Sequence, residues 1–170
     1  MLKIGDTAPS FNLESNLGPY KSSDLKGKRY VLYFYPKDDT PGCTTEACNF
    51  RDNLLRFNAA DVPLLGVSIL NAASKARFAK KFDLNFPLLA DEEHVLAEAY
   101  GVWVEKSMYG KKYMGVQRST FVIGANGKIE HLWEKANPEG HADEVLAYLK
   151  GETAPAAPAK AKAAPKRKSA

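Results

Sequence analysis

A chain of 170 residues, 45% of them apolar, is long enough to bury one core without staples, so its two cysteines are not a disulfide scaffold. Its longest apolar runs, such as "YVLYFY" and "VPLLGVSIL", fall well short of the roughly 20 residues that cross a bilayer, and "MLKIGDTAPSF" lacks a charged-then-apolar export signal, which reads as a soluble, cytoplasmic protein. The net charge of +4 does not belong to the fold: Lys160, Lys162, Lys166, Arg167 and Lys168 stand in the acid-free segment 154 to 170, and without those five charges the first 153 residues total −1.

From the N-terminus, residues 1 to 28 read as a hairpin and turn added ahead of the main unit. "RYVLYFY" (29 to 35) and "PLLGVSI" (63 to 69) are apolar runs of strand length, and the segment 43 to 60 between them has helical period. The three form a βαβ unit with a parallel strand pair. A second helix follows at about 73 to 82, then the short run "FPLLA" and a helix near 92 to 100. "STFVI" and "KIEHLWE" are joined by "GANG", whose Asn126 and Gly127 tolerate positive φ and predict a hairpin. Pro138 and Glu139 open a last helix that ends about Lys150. This order predicts an α/β fold of the thioredoxin-like kind, a mixed central β-sheet flanked by helices on both faces, over residues 1 to 153. Beyond it, "APAAPAKAKAAPKRKSA" offers nothing large to bury and is expected to be disordered, either a solubilising appendage or a weak contact for a polyanion.

Both cysteines fall in "YPKDDTPGCTTEAC", residues 35 to 48. On a helix, positions 43, 47, 50, 54 and 57 share a face, here Cys43, Ala47, Phe50, Leu54 and Phe57, so Cys43 tops a buried stripe. Cys48 lies about 140° around the axis and about 7.5 Å along it. A disulfide needs Cα atoms within about 4.4–6.8 Å and converging side chains, so an intact helix keeps these sulfurs apart and an oxidised pair requires its first turns to unwind. Two small buried hydrophobes would explain the residues as well at this point. Zinc fits poorly, because the spacing is not that of a zinc knuckle and His94, His131 and His141 stand at no ligand interval; they read as surface or packing residues. A thioredoxin-type dithiol exchanger would carry two residues between its cysteines, where this chain has four.

The flanks of Cys43 favour chemistry. At the start of a helix, free N–H groups and the helix dipole favour an anion, here the thiolate. Thr40 can make a hydrogen bond beside the sulfur, while Pro36 and Pro41 stiffen the loop and remove donors that would bring water in. Together they outline a sheltered pocket for a thiolate and a small polar substrate.

With those residues in place, "YPKDDTPGCTTEAC" resembles the signature of the peroxiredoxins, in particular the bacterioferritin-comigratory or Q-type branch. Pro36, Thr40 and Cys43 meet its motif of a proline, three residues, threonine or serine, two residues and the peroxidatic cysteine, and Cys48 stands where the branch keeps its resolving cysteine. "YGKKYMGVQRSTFVI" is similar to the segment with the family's active-site arginine, which falls on Arg118 rather than on Arg29, Arg51 or Arg56, and "GDTAPSFNL" resembles the family's opening. The likeness covers about residues 2 to 150.

The resemblance implies that Cys43 attacks the peroxide, that Thr40 and the Cys43 amide bind its oxygens, that Pro36 shields the sulfur, that Arg118 stabilises thiolate and transition state, and that Glu46 helps orient the arginine. It implies a Cys43 sulfenic acid, then an intramolecular Cys43–Cys48 disulfide reached by local unfolding of about residues 43 to 50, then reduction by thioredoxin or a glutaredoxin-like dithiol. Hydrogen peroxide and organic hydroperoxides are the implied substrates, no step requires a metal, haem or flavin, and the branch is often monomeric. Two rivals remain at this stage: a non-catalytic redox sensor built on the same two thiols, and a polyanion-binding module whose only support is the basic tail.

Overall fold

The computed structural model describes residues 1–151, so the segment 154 to 170 and the disorder expected of it lie outside the described residues. Two short strands, β1 (Asn12–Ser15) and β2 (Tyr20–Lys21), and a 3-10 turn at Ser22–Leu25 come first. The chain continues through β3 (Tyr30–Phe34), α1 (Pro41–Asp52), α2 (Leu54–Ala59), β4 (Leu64–Ser68) and α3 (Ala72–Phe82). After β5 (Leu88–Ala90) and α4 (Val95–Tyr100), a hairpin of β6 (Trp103–Met108) and β7 (Lys111–Val116) leads to β8 (Ser119–Ile123), β9 (Ile129–Trp133) and α5 (His141–Leu149).

Seven strands form one mixed sheet in the order β2-β1-β5-β4-β3-β8-β9. Within it β3, β4 and β5 run parallel, and the other neighbouring pairs are antiparallel. The period of two along β3 builds a core on each face. Val31, Tyr33 and Tyr35 join Phe50 of α1, Phe57 of α2, Phe78 of α3 and Val145 of α5, while Tyr30, Leu32 and Phe34 join Leu96 and Tyr100 of α4. Tyr33 lies over a glycine in the neighbouring strand: a Cβ at Gly66 would stand 2.9 Å from the Tyr33 ring and 2.9 Å from Leu88. Helices on both faces and the parallel β3–β4 crossover are the thioredoxin-like arrangement that the element order predicts. Among the described residues no helix is long and apolar enough to cross a membrane.

Four details differ from the sequence-based expectation. The helix expected over 43 to 60 starts at Pro41 and breaks at Asn53, where the backbone leaves helical geometry (φ −108°, ψ 8°) and the side-chain amide donates to the Asn49 carbonyl at 2.8 Å. The apolar stripe survives the break, with Phe57 buried and Leu54 half-buried. The N-terminal hairpin is no separate addition, because Glu14 pairs with Ala90 and β1 extends the main sheet. The last helix begins at His141, after Pro138 and Glu139, with the left-handed Gly140 (φ +75°) at its N-cap. Finally, β6–β7 turns on Tyr109 and Gly110, both left-handed at φ +53° and +79°. That geometry suits a two-residue hairpin turn, but tyrosine stands where asparagine or aspartate would announce it.

Candidate active site

The chain leaves β3 at Tyr35, and residues 36 to 40 turn it back into α1. Thr40 caps that helix with extended backbone (φ −104°, ψ 156°), and Pro41 opens its first turn, where a missing N–H costs nothing. The first intrahelical bond runs from the Thr44 N–H to the Thr40 carbonyl at 2.8 Å, so the Gly42 and Cys43 amides precede the ladder and remain free for an anion. Cys43 is 1% exposed and belongs to the core cluster of Tyr33, Ala47 and Phe50.

Arg118 reaches the same thiol from the link between β7 and β8. Its Nη2 donates to Cys43 Sγ at 3.3 Å and its Nη1 to Glu46 Oε1 at 2.7 Å. The backbone on both sides is fixed: Gln117 N–H donates to Val102 O at 2.8 Å, Ala136 N–H donates to Arg118 O at 2.8 Å, and the Ser119 hydroxyl donates to Glu134 O at 2.7 Å. Arg29 is occupied by Glu130 at 2.9 Å and Arg51 by Asp52 at 2.9 Å, while Arg56 is exposed on α2. Of these four arginines, Arg118 is the one at the sulfur.

Glu46 is fully buried one helical turn from Cys43. Burial pushes its carboxyl above the usual range, while the charges of His141 and Arg118 act in the opposite direction. Burial also works against the Arg118 charge, yet Glu46 and Cys43 together hold its pKa above the ordinary arginine value. The result is a positive charge that meets the sulfur through one guanidinium nitrogen and is anchored to Glu46 through the other.

The structure therefore brings Cys43, Glu46 and Arg118 together. Pro36 is half-buried at the start of the loop, and the Thr40 hydroxyl donates to the Lys37 carbonyl at 3.2 Å, which leaves its lone pairs available as acceptors. Cys48 is half-buried further along the same intact helix, and both thiols are free. The histidines pack: His94 stacks on Trp103 at 4.1 Å, His131 on Tyr148 at 4.3 Å, and buried His141 bonds Thr120 Oγ1 at 2.7 Å.

Sequence reasoning did not single out Gly42. A Cβ there would stand 3.1 Å from Arg118 Nη2 and 3.5 Å from Pro138 Cγ. The guanidinium is the mobile end of that contact, so Gly42→Ala should displace it from the sulfur and slow oxidation of Cys43 by about 10-fold, read by rapid mixing, with little change in melting temperature. An unaltered rate would show that the arginine can shift without consequence.

A buried cysteine at a helix N-terminus, under a guanidinium and on a thioredoxin-like sheet, defines a thiol-based oxidoreductase. Residues 4–132 match the model of the AhpC/TSA family. The chain is 47% identical over 150 residues to the Escherichia coli peroxiredoxin Bcp, covering 88% of this chain and 96% of that one. A crystal structure of a cysteine-to-serine mutant of Xylella fastidiosa PrxQ shares the fold with a TM-score of 0.84 at 37% identity, over 89% of this chain and 97% of that one. A structure of the Xanthomonas campestris bacterioferritin comigratory protein, described for its alkyl peroxide reduction activity, has a TM-score of 0.79 at 40% identity over 83% and 90% of the two chains. This chain belongs to the AhpC/TSA family and is a peroxiredoxin, a peroxidase that reduces peroxides by cysteine chemistry.

Proposed function

We propose that the chain reduces hydrogen peroxide and organic hydroperoxides with Cys43 as nucleophile and Cys48 as resolving thiol, as a cytoplasmic monomer recycled by thioredoxin or a glutaredoxin-like dithiol. The observation that carries the reading is the Cys43 sulfur, buried in the first turn of α1 with Arg118 Nη2 at 3.3 Å. The alkyl peroxide reduction described for the Xanthomonas relative supports organic substrates alongside hydrogen peroxide.

The thiolate sulfur attacks the terminal oxygen of the peroxide. The S–O bond forms as the O–O bond breaks, and the electron pair leaves on the second oxygen, which takes up a proton as water or alcohol. Arg118 and the Cys43 amide face that developing charge, and Thr40 Oγ1 accepts from the peroxide hydroxyl. Pro36 keeps water off the sulfur. The Cys48 thiolate then attacks Cys43 Sγ of the sulfenic acid: the S–S bond forms, the S–O bond breaks, and the departing hydroxide leaves as water with the proton that Cys48 gave up.

An intact α1 forbids that second step, so it waits on local unfolding of about residues 43 to 50. The break at Asn53 supports this order, since unwinding can stop there without disturbing α2. Mass spectrometry after one equivalent of peroxide should find the Cys43 and Cys48 peptides joined within one chain. Cys48→Ser should consume about one peroxide per chain and then stall until a small thiol is added. Full turnover of that variant with thioredoxin would remove Cys48 from the cycle. A pure sensor would form the disulfide without sustained consumption, and family membership favours the enzyme. The five cations of segment 154 to 170 support weak contact with a polyanion, and equal, salt-insensitive binding with and without that segment would dismiss it.

A further inference from the structure

Asp38 lies inside the loop that leads to Cys43, yet no step above uses it. Lys75 of α3 is fully buried, a rare condition for lysine unless it is paired. The two side chains meet beneath the loop. Lys75 Nζ is 3.1 and 3.2 Å from the two Asp38 carboxylate oxygens and also donates to Ser68 Oγ of β4. Asp38 accepts in addition from the Tyr35 hydroxyl and the Ser74 hydroxyl, both at 2.6 Å, and the Lys75 ammonium stands 5.1 Å from the centre of the Tyr35 ring. The next residue, Asp39, holds a left-handed backbone (φ +58°) and pairs with Lys81 of α3 at 2.8 Å.

Two successive acids of one loop are thus tied to α3. The partners of Asp38 are Tyr35, just past β3, and Ser74 and Lys75 of α3, while Ser68 of β4 holds Lys75; none comes from α1. A buried ion pair contributes little net stability, because desolvation of both charges offsets their attraction, but it can specify a conformation. Burial pushes the Lys75 ammonium below its ordinary pKa, with Asp38 first, and then the Cys43 and Asp91 charges, acting against that shift. What the pair specifies here is the path of residues 36 to 40.

We propose that Asp38 and Lys75 are positioning residues for the peroxide step: the pair clamps the loop that carries Pro36 and Thr40 against α3, and stays closed while α1 unwinds for the disulfide. The clamp serves the first reaction and not the second. Peroxide has to be held at attack distance from the sulfur, where a displacement of about 1 Å can cost about 10²-fold. Disulfide closure draws on α1, to which the clamp makes no bond. This inference rests on the Cys43 and Cys48 roles proposed above, and its test separates the two.

Rapid mixing of the reduced full-length chain with hydrogen peroxide yields a bimolecular constant for Cys43 oxidation and a peroxide-independent constant for disulfide closure. Asp38→Asn/Lys75→Met replaces the pair with neutral groups of similar size, and Ser74→Ala removes one contact at the rim and decides the matter alone if the double variant does not fold. We expect losses of about 30- to 100-fold and about 3- to 10-fold in the bimolecular constant, with disulfide closure and Cys43 alkylation by iodoacetamide, which needs no peroxide pocket, within about twofold of the parent. An unchanged bimolecular constant in the folded variants would overturn the clamp. Equal losses in all three rates would overturn it too, since that pattern marks general loosening. A parent chain that oxidises no faster than free cysteine would instead overturn the Cys43 assignment.

Discussion

Cys43→Ser should leave peroxide consumption at the rate of buffer alone while the protein stays folded. Serine keeps the shape of the side chain and can still accept from Arg118 Nη2, which lies 3.3 Å from the sulfur it replaces. What it loses is the nucleophile: a hydroxyl at neutral pH has no accessible anion, and no base stands beside it to make one, since the groups at the site are a guanidinium and a carboxylate already bound to it. Because the position is closely packed and nearly isosteric, the stability change should be within about 1–2 kcal/mol. Two measurements check the expectation together. Peroxide consumption with a reducing system reports activity, and thiol titration after peroxide exposure should still find Cys48 reduced. Sustained turnover by the variant would move the chemistry elsewhere, and Cys48 would be the first place to look.

How far the sequence reaches depends on the range of the interactions involved. Cys43, Ala47 and Phe50 are legible as a unit because they sit on one helix face, where spacing alone sets which side chains are neighbours, whereas Glu46, one position off that stripe, is singled out only by the resemblance. Arg118 is 75 positions from Cys43, and only a resemblance could pick it from several arginines. The strands β3, β4 and β8 were legible as apolar runs. That Tyr33 faces α1 while Phe34 faces α4 follows from which layers cover the sheet, and the run itself is apolar on both faces. Asn53 hid its break because the apolar stripe continues across it. Asp38 and Lys75 were missed for a plainer reason. Singly, each is a surface residue by every local rule, and burial becomes tolerable only when the fold brings charges 37 positions apart into contact.

Arg118→Met should slow the bimolecular reaction with peroxide by about 10²–10³-fold, the scale of removing one preorganised donor from a developing negative charge. It should also destabilise the fold, because Glu46 would keep a fully buried carboxylate with its partner gone. Such losses run to about 3–5 kcal/mol, and the lower end applies since Arg118 retains 18% exposure. The two effects separate by pH. Burial already holds the Glu46 pKa above its ordinary value, and losing the arginine removes one of the influences that lower it. Between the ordinary glutamate value and the raised folded-state value, the folded variant binds a proton that the unfolded chain does not. Its stability is therefore greatest below that window and falls as pH rises through it. Glu46→Gln in the Arg118→Met background removes the ionisable group, so it should abolish this pH dependence and restore much of the stability while leaving the reaction slow. If the double variant regained the rate as well, the arginine would matter only as a counter-charge for Glu46, and peroxide activation would have to come from the amides at the start of α1.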